Sequence, residues 1–174
     1  IEVINDKNHE IVTYFKVLRE QPERLIQAIA LTPWAHEEYV RCWQLAEDEL
    51  EQARRFYVRS HLTMRMATSQ QTNPGFRRQK RLTKQGSQKR MTHAPRTFMK
   101  TEHLWHIAER LRGVQIECMG ATAVIQLYDA PTTLIYCDPP YPHQLRKRSD
   151  DYAQGCEMSD GEHEALLRVL LKVQ

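Results

Sequence analysis

Apolar residues recur along the first third of the chain at the spacing of helix faces. Ile11, Tyr14, Phe15 and Leu18 fall at i, i+3, i+4 and i+7, which predicts an amphipathic helix. Pro22 stands where a second helix would open, and Leu25, Ala28 and Ile29 mark its inner side. The pair Thr32-Pro33 is a start signal for a third helix running toward Trp43. Residues 47–66 read as a long helix, acidic at its beginning and basic later, a polarity that suits the helix dipole. After Thr101, the residues Leu104, Ile107, Ala108 and Leu111 share one face, and Gly113 is the stop. Ser159 and Glu162 have capping-box spacing ahead of a helix that turns Leu166, Leu167 and Leu170 inward. Three stretches read as strands. IEVIN, residues 1–5, alternates weakly and ends just before Asp6; VQIEC, residues 114–118, is short. TTLIYC, residues 132–137, is the strongest, an apolar run of the kind buried in a parallel sheet. The order predicts an α/β fold, with a helical insertion between the first two visible strands.

Composition narrows the class. With 174 residues, 41% hydrophobic and 27% charged, the chain has material for one core, two at most, and is not of the disordered type. No apolar stretch approaches the length of a membrane span. The opening residues IEVINDKNHE hold no basic region followed by an apolar run, so a cytoplasmic protein is expected. Cys42, Cys118, Cys137 and Cys156 form no CxxC pair, and the eight His residues form no HExxH. Reduced, mostly buried thiols and no metal site are therefore expected.

The net charge of +3 conceals an asymmetry. Residues 1–51 carry a net of −6 and residues 102–174 a net of −4, whereas residues 52–101 hold 13 basic side chains and no acidic one. Asp or Glu there would repel a polyanion, so their absence points to nucleic acid, bound through phosphate contacts and counterion release. A solvated basic loop is the plainer alternative. The densest part, Gly75 to Arg90, holds Arg77, Arg78, Lys80, Arg81, Lys84, Lys89 and Arg90, with Phe76 available to stack or wedge.

Immediately after TTLIYC stands Asp138-Pro139-Pro140-Tyr141. Average residue usage would produce this tetrapeptide in about one chain per thousand of this length. Ligand sites in open α/β sheets lie beyond the carboxyl ends of strands, where the motif is placed. Asp-Pro-Pro also makes good turns. A functional reading uses every residue, however. A carboxylate and a backbone carbonyl held by prolines can each accept a hydrogen bond from one exocyclic amino group. They draw its lone pair out of conjugation, and the Tyr ring offers a face to the base. An amine inside a duplex becomes reachable only when its base is flipped out.

These residues resemble the Dam-like, DPPY class of DNA adenine methyltransferases. EVINDKNHEIVTYFKVLRE is similar to the segment after that family's second strand, and LTPWAHEEY and ARRFYVRS to its target-recognition region. AERLRGVQIE, TLIYCDPPY and EMSDGEHEALLRVLLKV are similar to its later sheet segments. The resemblance implies a partial Rossmann-like methyltransferase sheet, made of residues 1–10 and 102–174. Residues 11–101 would be a helical target-recognition insertion whose basic loop, about residues 67–100, faces double-stranded DNA. It implies methyl transfer from S-adenosylmethionine to the amino group of adenine. Asp138 would hold the amine beside the cofactor, Pro139 would offer its carbonyl next to Pro140, and Tyr141 would stack on the flipped base. Asp6 would accept hydrogen bonds from the cofactor, with Asn8 nearby. Arg54, Arg55 and Arg59 would lie on a helix leading to the DNA-facing loop, or serve as surface charge.

The chain also departs from that family. Its glycine-rich cofactor loop and an upstream Lys motif have no counterpart here and would precede Ile1, and the chain stops at Gln174 before the family's later strands, as in a chain truncated at both ends. The family's first strand lies between the strands represented here by IEVIN and TTLIYC, which would leave a gap. Gly120 stands where family members usually place an acid that touches the cofactor's adenine. A non-catalytic nucleic-acid-binding remnant is the alternative to an enzyme, RNA is open as a substrate, and a restriction-system partner is compatible with either.

Overall fold

A computed structural model describes residues 1–63, 75–78, 95, 98–145 and 155–173. Strand β1 (Glu2–Asn5) is followed by helices α1 (His9–Glu20), α2 (Pro22–Ala30), α3 (His36–Arg41) and α4 (Glu49–Leu62). Then come α5 (Glu102–Leu111), β2 (Val114–Glu117), α6 (Ala121–Tyr128), a 3-10 turn (His143–Leu145) and α7 (Asp160–Leu170). The sheet among the described residues is two parallel strands, with Glu2 opposite Val114 and Asn5 opposite Glu117.

Most helices form for the reasons their sequences advertise, but α3 opens at His36 after an Ala35 cap and not at Thr32-Pro33, and Leu167 of α7 is 57% exposed and not turned inward. Asn8 caps α1 by accepting the Glu10 N–H at 2.9 Å, and Asp6 in turn accepts the Asn8 N–H at 2.7 Å. Two short polar side chains thus satisfy successive backbone donors at the strand-to-helix turn. Pro22 opens α2, which buries Leu25, Ile26 and Ile29. Asp48 caps α4, whose inner side presents Ala53, Tyr57, Val58 and Leu62. The Ser159–Glu162 capping box is present at α7. One core cluster runs from Tyr14, Val17 and Leu18 of α1 through α2, α3 and α4 to Leu104, Ala108 and Leu111 of α5 and Val114 of β2. Burial of these apolar faces is the main favourable contribution to folding.

Two further expectations need correction. The TTLIYC segment is not a paired strand. Leu134 is 95% exposed and Tyr136 89%, and no sheet ladder includes residues 132–137. The physical reason is a groove of about 1260 Å³, which has Ile1, Val3 and Asn5 of the β1 side on one wall and Leu134, Ile135 and Tyr136 on another. No ladder joins the two across it. The apolar pattern reported strand propensity correctly, but it could not report whether a neighbour was available. The thiols are not mostly buried either: Cys42 is buried, Cys118 and Cys156 are half-buried and Cys137 is exposed, all four free. Helix α6 was not anticipated, because ATAVIQLY mixes β-branched residues with no polar alternation. No described helix is long and apolar enough to cross a membrane.

Candidate active site

The groove beside β1 gathers the chemistry-bearing residues from four places. Asp6, Lys7 and Asn8 come from the turn into α1, Met119 and Gly120 from the turn into α6. Asp138, Pro139, Pro140 and Tyr141 come from the chain beyond the unpaired segment, and Cys156 and Glu162 from the approach to α7.

The β1 end is held firmly. Asn5 donates from Nδ2 to the Met119 carbonyl at 3.1 Å and accepts the Met119 N–H at 3.0 Å. This side-chain amide continues the sheet ladder by one more rung, and the Asp6 N–H reaches the Glu117 carbonyl at 3.4 Å. The β2–α6 turn is thereby fixed beside Asp6, which brings Gly120 to the same rim. Gly120 caps α6 with φ −63° and ψ 141°, and no atom lies within 4 Å of where a Cβ would stand.

On the opposite side, Thr133 anchors the turn after α6. Its N–H reaches the Ala130 carbonyl at 2.9 Å, and its hydroxyl donates to the Tyr128 carbonyl at 2.7 Å. From there the chain continues outside any helix or ladder to Asp138, which is exposed, while Pro139 and Pro140 are half-buried. Tyr141 is 64% exposed at the groove. Its ring is therefore accessible to a planar ligand, and Asp138 is not closed into packed protein. Lys7 and Glu162 form an ion pair at 3.7 Å that links the α1 approach to the start of α7. The backbone N–H of Ser159 holds the Glu162 carboxyl below its ordinary pKa.

Four polar groups in this region escaped sequence reasoning, three of them without any usable signal. Cys118 Sγ lies 3.3 Å from His9 Nδ1, and Cys156 lines the groove. Burial, and after it the Asp6 carboxylate, raises the pKa of both thiols. They stay protonated and are poor nucleophiles. Lys7 is the third, and no spacing rule singles it out. Asn5 carries the one usable signal, an amide at a strand's end next to an acid.

The basic segment divides. Lys80, Arg81, Lys84, Lys89 and Arg90 lie outside the described residues. Arg77 and Arg78 are described and exposed. Phe76 is not a wedge for bases: it is buried among Trp34, His36 and Tyr39. Arg59 is not a surface residue. Its side chain is 8% exposed, paired to Glu10 at 2.6 Å, donating to the Cys42 carbonyl at 3.2 Å and lying 4.8 Å from the Trp43 ring centroid. Arg54 and Arg55 are likewise engaged, with Glu51 at 2.6 Å from each and Glu38 at 2.7 Å from Arg54. Among the described residues no His, Cys, Asp and Glu group could hold a metal ion.

The groove carries acceptor groups from two separate segments. Carboxylates at Asp6 and Asp138 suit hydroxyl, amino and cationic groups, and the Asn8 N–H leaves Asp6 the capacity to accept further hydrogen bonds. A family model described as D12 class N6 adenine-specific DNA methyltransferase matches residues 2–174. No curated protein and no solved structure matches the chain.

Proposed function

The chain belongs to the D12 class N6 adenine-specific DNA methyltransferase family, and on that premise we propose that the groove beside β1 is where S-adenosylmethionine and a flipped adenine meet. The family is one of DNA adenine methyltransferases, whose chemistry serves DNA methylation and restriction–modification. The observation that carries the reading is the convergence of Asp6 with Asp138, Pro139, Pro140 and Tyr141 on one groove from segments more than 130 residues apart in sequence.

The cofactor supplies an electrophilic methyl on a positively charged sulfur. The chain supplies the rest. Asp6 accepts hydrogen bonds from the cofactor, and the Met119–Asn5 amide pair keeps its strand end in place. Asp138 and the Pro139 carbonyl each accept one hydrogen of the adenine amino group, so the nitrogen lone pair turns out of the ring plane. Two consecutive prolines fix that carbonyl, because each locks its own φ. Tyr141 stacks on the extruded base and helps offset the loss of its duplex neighbours. The gain lies in acceptors that are already oriented, and no covalent enzyme intermediate is needed. Residues 11–101 act as the target-recognition insertion of a Rossmann-like sheet. Arg77, Arg78, Lys80, Arg81, Lys84, Lys89 and Arg90 meet duplex phosphates, and Arg59, spent inside the fold, takes no part.

Transfer of tritium-labelled methyl groups to duplex DNA tests the reading. Asp138→Ala should abolish incorporation and leave salt-sensitive duplex binding within about twofold. No incorporation by the folded protein with its full reading frame would refute the catalytic claim. Gly120 favours a second reading, a nucleic-acid-binding remnant. Calorimetry separates the two: saturable S-adenosylmethionine binding supports the enzyme, and duplex binding without it supports the remnant.

A further inference from the structure

The basic segment is rooted at both ends on one indole ring. Phe76 and Phe98 are buried, and both rings pack on Trp34, at centroid distances of 6.3 Å and 5.6 Å. Between them lie 21 residues with eight Lys and Arg and no acid. At the first root the chain is tied a second time. The Arg77 N–H donates to the Leu62 carbonyl at 2.7 Å, and the Trp34 indole N–H donates to the Arg77 carbonyl at 3.2 Å. Both backbone polar groups of Arg77 are thus fixed while its side chain is exposed. The neighbouring Arg78 guanidinium sits 5.5 Å from the Phe76 ring centroid.

A cationic side chain on a backbone held at both N–H and C=O meets a phosphate with less ordering entropy than one on an untethered loop. We propose that Trp34 is a positioning residue of the DNA interface: its indole N–H aims Arg77 at a backbone phosphate. The inference rests on the DNA-binding reading above. It adds a role for a residue that acts through Arg77. Packing alone would ask only for a large ring at position 34. The tether asks for a donor on that ring, and the difference is measurable.

Duplex affinity of the full chain, followed by fluorescence anisotropy across a potassium chloride series, gives the slope of log affinity against log salt. Each phosphate neutralised contributes about 0.9 to that slope. Arg77→Ala should lower its magnitude by about 0.9. Trp34→Phe keeps a ring and removes the donor; it should weaken affinity severalfold at each salt concentration, and the double variant should bind no more weakly than Arg77→Ala alone. A folded Trp34→Phe with wild-type affinity, or a loss that adds to that of Arg77→Ala, would overturn the proposal while leaving DNA binding intact. If circular dichroism shows Trp34→Phe unfolded, Phe76→Leu, which keeps an apolar filler but loosens the same root, is judged by the same comparison with Arg77→Ala. A wild-type chain with no salt-dependent duplex affinity overturns the DNA-binding reading itself.

Discussion

Replacing Gly120 by Asp should tighten S-adenosylmethionine binding, and the structure sets the size of the effect. Gly120 has φ −63° and ψ 141°, a backbone conformation open to any L-residue, and its Cβ position faces empty space. The substitution therefore carries no steric or backbone penalty. Gly120 is also the N-cap of α6 and makes no side-chain cap bond. Asp is among the best caps and Gly is only a few tenths of a kcal/mol behind, so the gain in stability is about 0.3 kcal/mol. The larger effect is on the ligand. A hydrogen bond to a charged acceptor in a partly enclosed site contributes about 1.5–3 kcal/mol, which corresponds to about 10- to 150-fold in affinity. The new carboxylate has two uses, capping α6 and meeting the ligand, and capping draws on only one of its oxygens. Isothermal titration calorimetry gives the affinity and differential scanning calorimetry the stability. Unchanged affinity together with a raised Tm would show that the side chain is consumed by the helix and that this rim of the groove does not touch the cofactor. The assignment of the groove would then fail on that side.

Three further outcomes follow from other parts of the molecule. Arg59→Met should cost about 2–3 kcal/mol, below the 3–5 kcal/mol of a fully buried pair, because Glu10 keeps a third of its side chain in water; calorimetry should show Tm lower by about 5–10 °C, and a loss of DNA affinity without a loss of stability would contradict the placement. The Glu51 carboxyl, held down to about 2 chiefly by its hydrogen bond from Arg54, stabilises the fold above its unfolded pKa near 4.5 and ceases to do so as pH falls through about 2. Urea melts over that interval should show an acid-side decline that Glu51→Gln flattens. Iodoacetamide at neutral pH should label the exposed Cys137 first and Cys42 last, since Cys42 is buried and its thiol is pushed up to about 12; peptide mass mapping with the reverse order would contradict both burials.

The helical part of this fold was legible because its signals are local. Pro22 and Ser159 stand at helix starts, and the apolar spacing of Tyr14, Leu18, Leu25 and Ile29 gives the buried faces. TTLIYC was misread for the opposite reason: pairing needs a partner, and a partner is a property of the whole sheet. The tetrapeptide from Asp138 to Tyr141 could be picked out by composition alone, but its meeting with Asp6 depends on the Asn5–Met119 bonds, 114 positions apart. Arg59 and Phe76 show a second limit. A run of charge marks a surface only on average, and within it Arg59 and the Phe76 ring, among others, are spent on the inside. Nothing in their local sequence distinguishes Arg59 from Arg77.

The bare stretch from Thr132 to Cys137 has a practical consequence for anyone preparing the chain. No sheet ladder pairs it, and Leu134 and Tyr136 are exposed on it; such a ribbon templates the pairing of any extended polypeptide that meets it. Concentrated stocks should thicken into oligomers unless a lysine is placed at Leu134, where a charge would repel an incoming ribbon and disturb no packed neighbour.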